Sequence, residues 1–433
     1  MPGSSVGGRG LTAALLAAVI VACSGGSGSS PTPGTPTASE AATSGATFGP
    51  DSTGTPAQTD EASPTPTEEA SPAQTDDASP TAPDEASPDA SAGASPGQTD
   101  GASPSVGASP GTSASPIAGD VYDNPVFPPD FPDPHVILVD GTYYAYSTNA
   151  SGQNMPVISS DDLSTWQRVR DGLPVLPSWT ALNFGSRWAP GVIQIDDSFV
   201  LYFVACDATR RDDGQCPQDS TNRQCIGVAT SAAPEGPYRD ESDEPLVCQY
   251  DLGGSIDAYP FRDVDGQLYL YWKNDGNCCG LPVGLWVQPL SDDGLRLTGE
   301  PTELIQRDQI WEIPLIENPA MVEHEGSYYL FYSGNWWASH QYAVGYAVCE
   351  SATGPCEKPL DGPIFEFNQG VFGPGGQALF EDEDGDLVMA YHGWTPPNVG
   401  YPAGQRSLFI DPVRFENGAP VMTGPTTDPQ PLP

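Results

Sequence analysis

The chain has 433 residues, 48 of them glycine and 48 proline, with 15 lysines plus arginines against 57 acids and a formal net charge of −42. A chain so acidic, with no basic stripe, is excluded from non-specific nucleic-acid binding and from electrostatic attachment to anionic lipid. The same charge argues against a polyanionic substrate and for a neutral one.

Taken in chain order, the first element is an apolar run, Leu11 to Ala22, behind Arg9. It is too short to span a bilayer and fits the apolar core of a secretory signal. It ends in Ala22-Cys23-Ser24-Gly25, which resembles the cleavage box of bacterial lipoproteins. Residues 1–23 are therefore expected to be a lipoprotein-type signal ending at a lipidated Cys23. The acyl chains would be the chain's one membrane device.

Residues 24–119 are Ser, Thr, Pro, Ala, Gly and acid, and Ala-Ser-Pro recurs eight times between Ala62 and Pro116. Such a stretch cannot bury enough apolar surface to offset chain entropy. It is expected to be a disordered, extended linker that holds the following domain away from the membrane.

Near residue 120 the composition changes: 14 of the 15 basic residues and nearly all the aromatics follow it. Residues 120–433 are long enough to bury a large core. One pattern recurs there five times, two apolar-alternating strands around a polar turn. The turns centre on Gly141, Ser198, Gly266, Gly326 and Gly385, spaced by 57, 68, 60 and 59 residues. Asp-Gly between alternating strands is a strong hairpin signal. Each unit has room for two further strands, and four strands per repeated unit mark a β-propeller. The expected fold is all-β, a five-bladed propeller preceded by the disordered linker.

Eight to ten residues before each turn stand Asp133, Trp188, Asp257, Glu317 and Gly376. Innermost blade strands line the central channel, so equal offsets bring three carboxylates to one end of it. Clustered like charges push some carboxyl pKa values up, as glycoside hydrolysis requires of its acid. Trp188 would offer an apolar face to a sugar ring. Glu312 and Asp251 are the nearest rivals to Glu317 and Asp257, and both miss the offset.

With those residues go Asn124-Pro-Val-Phe-Pro-Pro-Asp-Phe-Pro-Asp-Pro134, Arg187-Trp-Ala-Pro190, Ser255-Ile-Asp257, Ile316-Glu-Asn-Pro319, Gly373-Pro-Gly375 and Tyr391-His-Gly-Trp394. In this order they resemble glycoside hydrolase family 43 over about residues 124–412. The resemblance implies an inverting glycosidase with Asp133 as general base, Glu317 as general acid and Asp257 tuning and orienting the acid. It implies that Arg406 holds the base and that His392 holds a calcium ion or a water on the propeller axis. No other cofactor is expected. One histidine offers little to a hard cation, so any calcium would be mostly hydrated. Asp130 is a further candidate for sugar binding. Trp336-Trp337 reads as blade packing, and Glu381–Asp384 as a solvated hairpin turn.

The expected substrate is a neutral plant polysaccharide or oligosaccharide with α-L-arabinofuranosyl linkages, as in arabinan or arabinoxylan. The alternatives are a β-xylosidase of the same family and a non-catalytic carbohydrate-binding propeller. The protein is expected to be a monomer, lipid-anchored on the outer face of the cell membrane or secreted. The eight cysteines after Cys23 read as disulfides of an exported chain. Cys349 and Cys356 are the nearest local pair; Cys278 and Cys279 could bridge each other or separate partners.

Overall fold

The computed structural model describes residues 121–181, 186–210, 223–368 and 370–432. The signal sequence, Cys23 and the linker 24–119 lie outside the described residues.

Apolar alternation around tight polar turns produces five antiparallel sheets in chain order. Blade I is built from His135–Val139, Thr142–Tyr146, Pro156–Ser160 and Gln167–Asp171. Blade II has Trp188–Ile195, Ser198–Cys206 and Gln224–Ser231. Blade III has Ser255–Arg262, Leu268–Asn274, Gly284–Pro289 and Thr302–Gln306. Blade IV has Ile316–His324, Ser327–Gly334, Ala343–Cys349 and Cys356–Glu357. Blade V has Phe372–Glu381, Leu387–Trp394, Arg406–Glu416 and Ala419–Met422. The first strand of each blade packs on the first strands of the blades before and after it, and blade V meets blade I. The fold is thus the expected five-bladed propeller. Blade II departs from the four-strand expectation: among the described residues its third strand is followed by the isolated bridges Ile226–Val247, Thr230–Arg239 and Gln224–Gly254 and by no fourth strand.

The buried apolar residues fill the wedges between neighbouring blades. Tyr146, Val157, Trp179 and Phe203 join blades I and II. Val204, Ile226, Ile256 and Trp272 join II and III. Ala145, Ile158, Val388 and Ile410 join V back to I. A two-strand pairing of Val121–Tyr122 with Gln430–Pro431 helps close the ring. Asn124 completes the closure: its amide donates to Ile410 O at 2.7 Å and accepts from Ile410 N at 3.0 Å.

The disulfides Cys349–Cys356 and Cys225–Cys248 are formed, and Cys278 pairs with its neighbour Cys279. These bonds fit an oxidising compartment. Among the described residues no helix is long and apolar enough to cross a membrane.

Candidate active site

The five inner strands share an irregularity that the repeat offsets only approximate. In or just before each stands a left-handed residue: Asp133 (φ 52°), Ala189 (φ 29°), Asp257 (φ 59°), Asn318 (φ 52°) and Gly376 (φ 60°), with a second in blade V at Gly373 (φ 54°). In blades II to V this residue sits in or beside a break in the register with the second strand. A left-handed residue bearing a Cβ costs roughly 1–2 kcal/mol, least for Asp and Asn, so its recurrence around the ring marks a built feature. At Gly376 a Cβ would stand 2.5 Å from His392 Nδ1 and 2.7 Å from Asp133 Oδ1, which accounts for glycine there.

The bulges also turn backbone N–H groups toward the preceding blade. Asp133 N donates to His392 Nδ1 at 3.1 Å, and Ala189 N to Thr148 Oγ1 at 2.8 Å. Asn318 N donates to Asp257 Oδ2 at 3.0 Å, and Gly376 N to Ser333 Oγ at 2.9 Å. Blade contacts and pocket geometry are therefore one construction: the donors that lock neighbouring blades together also orient the channel's polar side chains.

Above the bulges opens a pocket of about 410 Å³ whose lining includes Asp133, Asp257 and Glu317. Asp130, Trp188 and Arg406 line it too. All six positions singled out from sequence for catalysis or sugar binding therefore converge. Both rivals stand apart. Asp251 is exposed on a short turn, Tyr250–Leu252. Glu312 is wholly buried in a network of its own, paired with Lys358 at 2.7 Å and accepting from Tyr332 OH at 2.7 Å and from the N–H groups of Asp308 and Gln309.

The carboxylates stand in opposite environments. Burial alone would raise the pKa of Asp133, but Arg406, His392 and Thr148 outweigh it and hold the group well below the usual carboxylate range. Arg406 Nη1 lies 3.3 Å from Asp133 Oδ1, and Thr148 Oγ1 donates to Oδ2 at 2.6 Å. Asp257 goes the other way. Burial, then the charge of Glu317, raise its pKa well above the ordinary value, against the opposing pull of Lys273 and the Asn318 N–H. Glu317 accepts from Lys273 Nζ at 2.9 Å and from Tyr342 OH at 2.9 Å. Beside Lys273, burial pushes Asp275 up to about 6. One side of the pocket thus favours an ionised carboxylate, and the other favours a proton on a carboxyl.

Arg406 packs its guanidinium 4.7 Å from the Trp337 ring centroid, and its backbone N–H donates to Asp130 Oδ1 at 2.9 Å. Asp130 also accepts from Tyr401 OH at 2.8 Å. Asp130 therefore braces the rim while facing the pocket. Trp337 packs on Trp394, with ring centroids 6.2 Å apart, and also lines the pocket. Trp336 departs from the packing expectation, since it is 43% exposed and lines the pocket.

His392 sits directly against Asp133. Its Nδ1 lies 3.1 Å from the Asp133 N and 3.2 Å from Asp133 Oδ1, and its buried Nε2 has no hydrogen-bond partner among the described residues. Burial, opposed by Asp133, lowers the ring's pKa. Among the described residues no group of three or more His, Cys, Asp or Glu gathers as a metal site. Below the carboxylates a cavity of about 10 Å³, lined by Asp133, His135, Asp257 and Gln377, has space for about one water. The contacts of His392 are thus with Asp133, and they support a positioning role for the ring.

Lys273, Tyr342 and Thr148 were not singled out from sequence. Lys273 had a signal: it is a charge inside the apolar run Leu268-Tyr-Leu-Tyr-Trp-Lys273, where a buried cation needs a buried partner. Thr148 and Tyr342 had none.

The family model for Glycosyl hydrolases family 43 matches residues 122–420. A β-D-galactofuranosidase of Aspergillus niger is 28% identical over 289 residues, covering 62% of this chain and 75% of its own. An arabinan endo-1,5-α-L-arabinosidase B of Emericella nidulans is 25% identical over 363 residues, covering 67% and 82%. Among solved structures, a thermostable family-43 glycoside hydrolase is 32% identical, with a TM-score of 0.62, covering 72% of this chain and 99% of that one.

Proposed function

We propose that this chain, which belongs to glycosyl hydrolases family 43, is an inverting glycosidase of α-L-arabinofuranosyl linkages in arabinan or arabinoxylan. In this reading Asp133 is the general base, Glu317 the general acid and Asp257 the group that tunes and orients the acid. The observation that carries it is the gathering of three carboxylates in one pocket, with Asp133 held by Arg406 and Thr148 and its pKa pushed down, and Asp257 beside Glu317 with its pKa pushed up. Asp133 takes a proton from a water as that water attacks the anomeric carbon. Glu317 and Asp257 hold one proton between them; Glu317 passes that proton to the glycosidic oxygen on the opposite face of the sugar, and the bond to the leaving group breaks with inversion. Asp257 reaches the acid's strand through the Asn318 N–H. That contact supports a positioning role for Asp257, and its own proton supports a reservoir for the pair. No step needs a metal.

The arabinan direction is supported by the activity in the name of the Emericella nidulans relative. The β-D-galactofuranosidase gives a second reading, β-D-galactofuranosides, which share the five-membered ring. Proton NMR of products formed from 1,5-α-L-arabino-oligosaccharides tests the proposal. The first anomer released should be the β-form; release of the α-anomer makes Asp133 a nucleophile and overturns inversion. Arabinan left intact while a galactofuranoside is cleaved overturns the sugar assignment.

We further propose that the propeller begins near residue 120, is carried on the linker 24–119 from a lipidated Cys23, and works as a monomer outside the cell. Metabolic labelling with palmitate tests the lipid: label lost in Cys23→Ala supports it, and no label on the parent chain overturns it.

A further inference from the structure

We propose that the Cys278–Cys279 disulfide is an apolar plate for the ring of a bound sugar, a specificity-determining part of the pocket wall above Lys273 and Glu317. The inference rests on the glycosidase reading for its ligand class.

The bridge has no evident structural purpose. A disulfide stabilises chiefly by closing a loop in the unfolded chain. Cys225–Cys248 spans 23 positions, whereas Cys278 and Cys279 are adjacent and close none. Its place in the fold gives it another use. Lys273 ends the second strand of blade III against Glu317, and the chain then rises into the short turn Gly276–Cys279. Residues from Lys273 to Gly276 are buried, whereas Cys278 is exposed and lines the pocket. A disulfide sulfur is polarizable and has no proton to donate, so it offers an apolar surface to the C–H face of a sugar much as an aromatic ring does.

The plate is also fixed in advance. The Asn274 amide donates to Leu252 O at 3.0 Å and to Pro282 O at 2.8 Å. The Asn274 carbonyl accepts from Gly284 N at 2.8 Å and from Trp286 Nε1 at 3.1 Å. Arg223 approaches the second sulfur, its Nη1 3.3 Å from Cys279 Sγ, while its Nε donates to Tyr250 O at 2.8 Å. A surface held this firmly loses little freedom when a ligand settles on it.

The test is the double variant Cys278→Ser/Cys279→Ser in the full chain, with L-arabinose binding followed by calorimetry and 1,5-α-L-arabinotriose hydrolysis followed by kinetics. The Kd and the KM should each rise roughly three- to tenfold. The kcat should change by less than about twofold, because a plate under the ring serves ground and transition states alike. The unfolding temperature should stay within about 2 °C, since no loop is opened. A folded variant with unchanged Kd and KM overturns the proposal, as does a large fall in unfolding temperature with unchanged binding. An arabinose-soaked crystal of the parent chain decides independently of the variant: ring carbons within about 4.5 Å of Cys278 Sγ support it, and a ring seated elsewhere overturns it. If the parent chain binds arabinose without cleaving arabinotriose, the catalytic reading fails, and the Kd comparison still judges the plate.

Discussion

The two sides of the pocket are built from the same repeat, yet they treat a buried carboxyl in opposite ways. In blade I, Asp133 has a left-handed backbone and is ringed by groups that favour its charge: the Arg406 guanidinium, the Thr148 hydroxyl and its own N–H on His392. In blade III, Asp257 has the same backbone conformation but faces the negative Glu317, and burial prevails. Backbone geometry therefore chooses where a carboxyl points, while neighbouring blades choose whether it keeps a proton. One repeated strand can serve both halves of an acid–base reaction because the blades flanking it differ.

The largest expected effect separates the two sides by leaving group. Asp133→Asn should lower kcat by about 10²–10⁴-fold on natural and activated aryl glycosides alike, since attack by water always needs its base. Glu317→Gln should cost a similar factor on arabino-oligosaccharides. On an aryl glycoside, whose leaving oxygen departs without a proton, it should cost far less. Equal losses on both substrates for both variants would erase the functional difference between the sides.

Next in size is a contrast between two glutamates five residues apart. Glu312 is fully buried, and four donors converge on it: Lys358, Tyr332 and two backbone N–H groups. Glu312→Gln strips the charge facing Lys358 and should lower unfolding free energy by about 3–5 kcal/mol, read from denaturant titration. Activity per folded molecule should persist. Glu317→Gln should show the reverse. A Glu312→Gln protein of parental stability would contradict the ion-pair account.

These two glutamates also mark what can be read from sequence. The offset from the hairpin turn singles out Asp133, Asp257 and Glu317, because inner strands of a propeller repeat and their bulges repeat with them. The left-handed residue in blade IV is Asn318, one position beyond Glu317, so the offset finds the bulge and not the individual side chain. Thr148 lies just past the second strand of blade I and Tyr342 just before the third strand of blade IV, in the same blades as the carboxylates they meet, but no repeated offset announces them. His392 was legible as a site residue, but its contact with Asp133 was not, because blade V meets blade I only when the ring closes. The pairing of Cys278 with Cys279 was equally open until the turn after Asn274 was placed.

Arg406→Met should move the base side toward the other. Burial alone raises the Asp133 pKa, and Arg406 leads the groups that reverse it. Without the guanidinium, Asp133 binds its proton at higher pH, and less of the base is ionised in mild acid. The acid limb of the kcat/KM profile should therefore move up by about one to three pH units. An unmoved limb would mean that His392 and Thr148 suffice to hold the charge.

The smallest effect is expected where two donors share one carboxylate. Glu317 accepts from Tyr342 OH and Lys273 Nζ, each at 2.9 Å. Burial, then the charges of Glu317 and Asp133, raise the Tyr342 pKa well above its usual value, so its hydroxyl remains a donor across the working range. Tyr342→Phe removes that donor and leaves the ring, which is stacked on His392 at 5.7 Å between centroids. Lys273 still fixes one carboxylate oxygen, so the loss should stop near the value of one hydrogen bond to a charged group, about 1.5–3 kcal/mol, or roughly 10- to 150-fold in kcat/KM. The loss should fall on substrates that need the acid and spare aryl glycosides, matching Glu317→Gln in pattern and falling short of it in size. Equal loss on both substrate classes would instead place Tyr342 with the base, acting through His392 on Asp133.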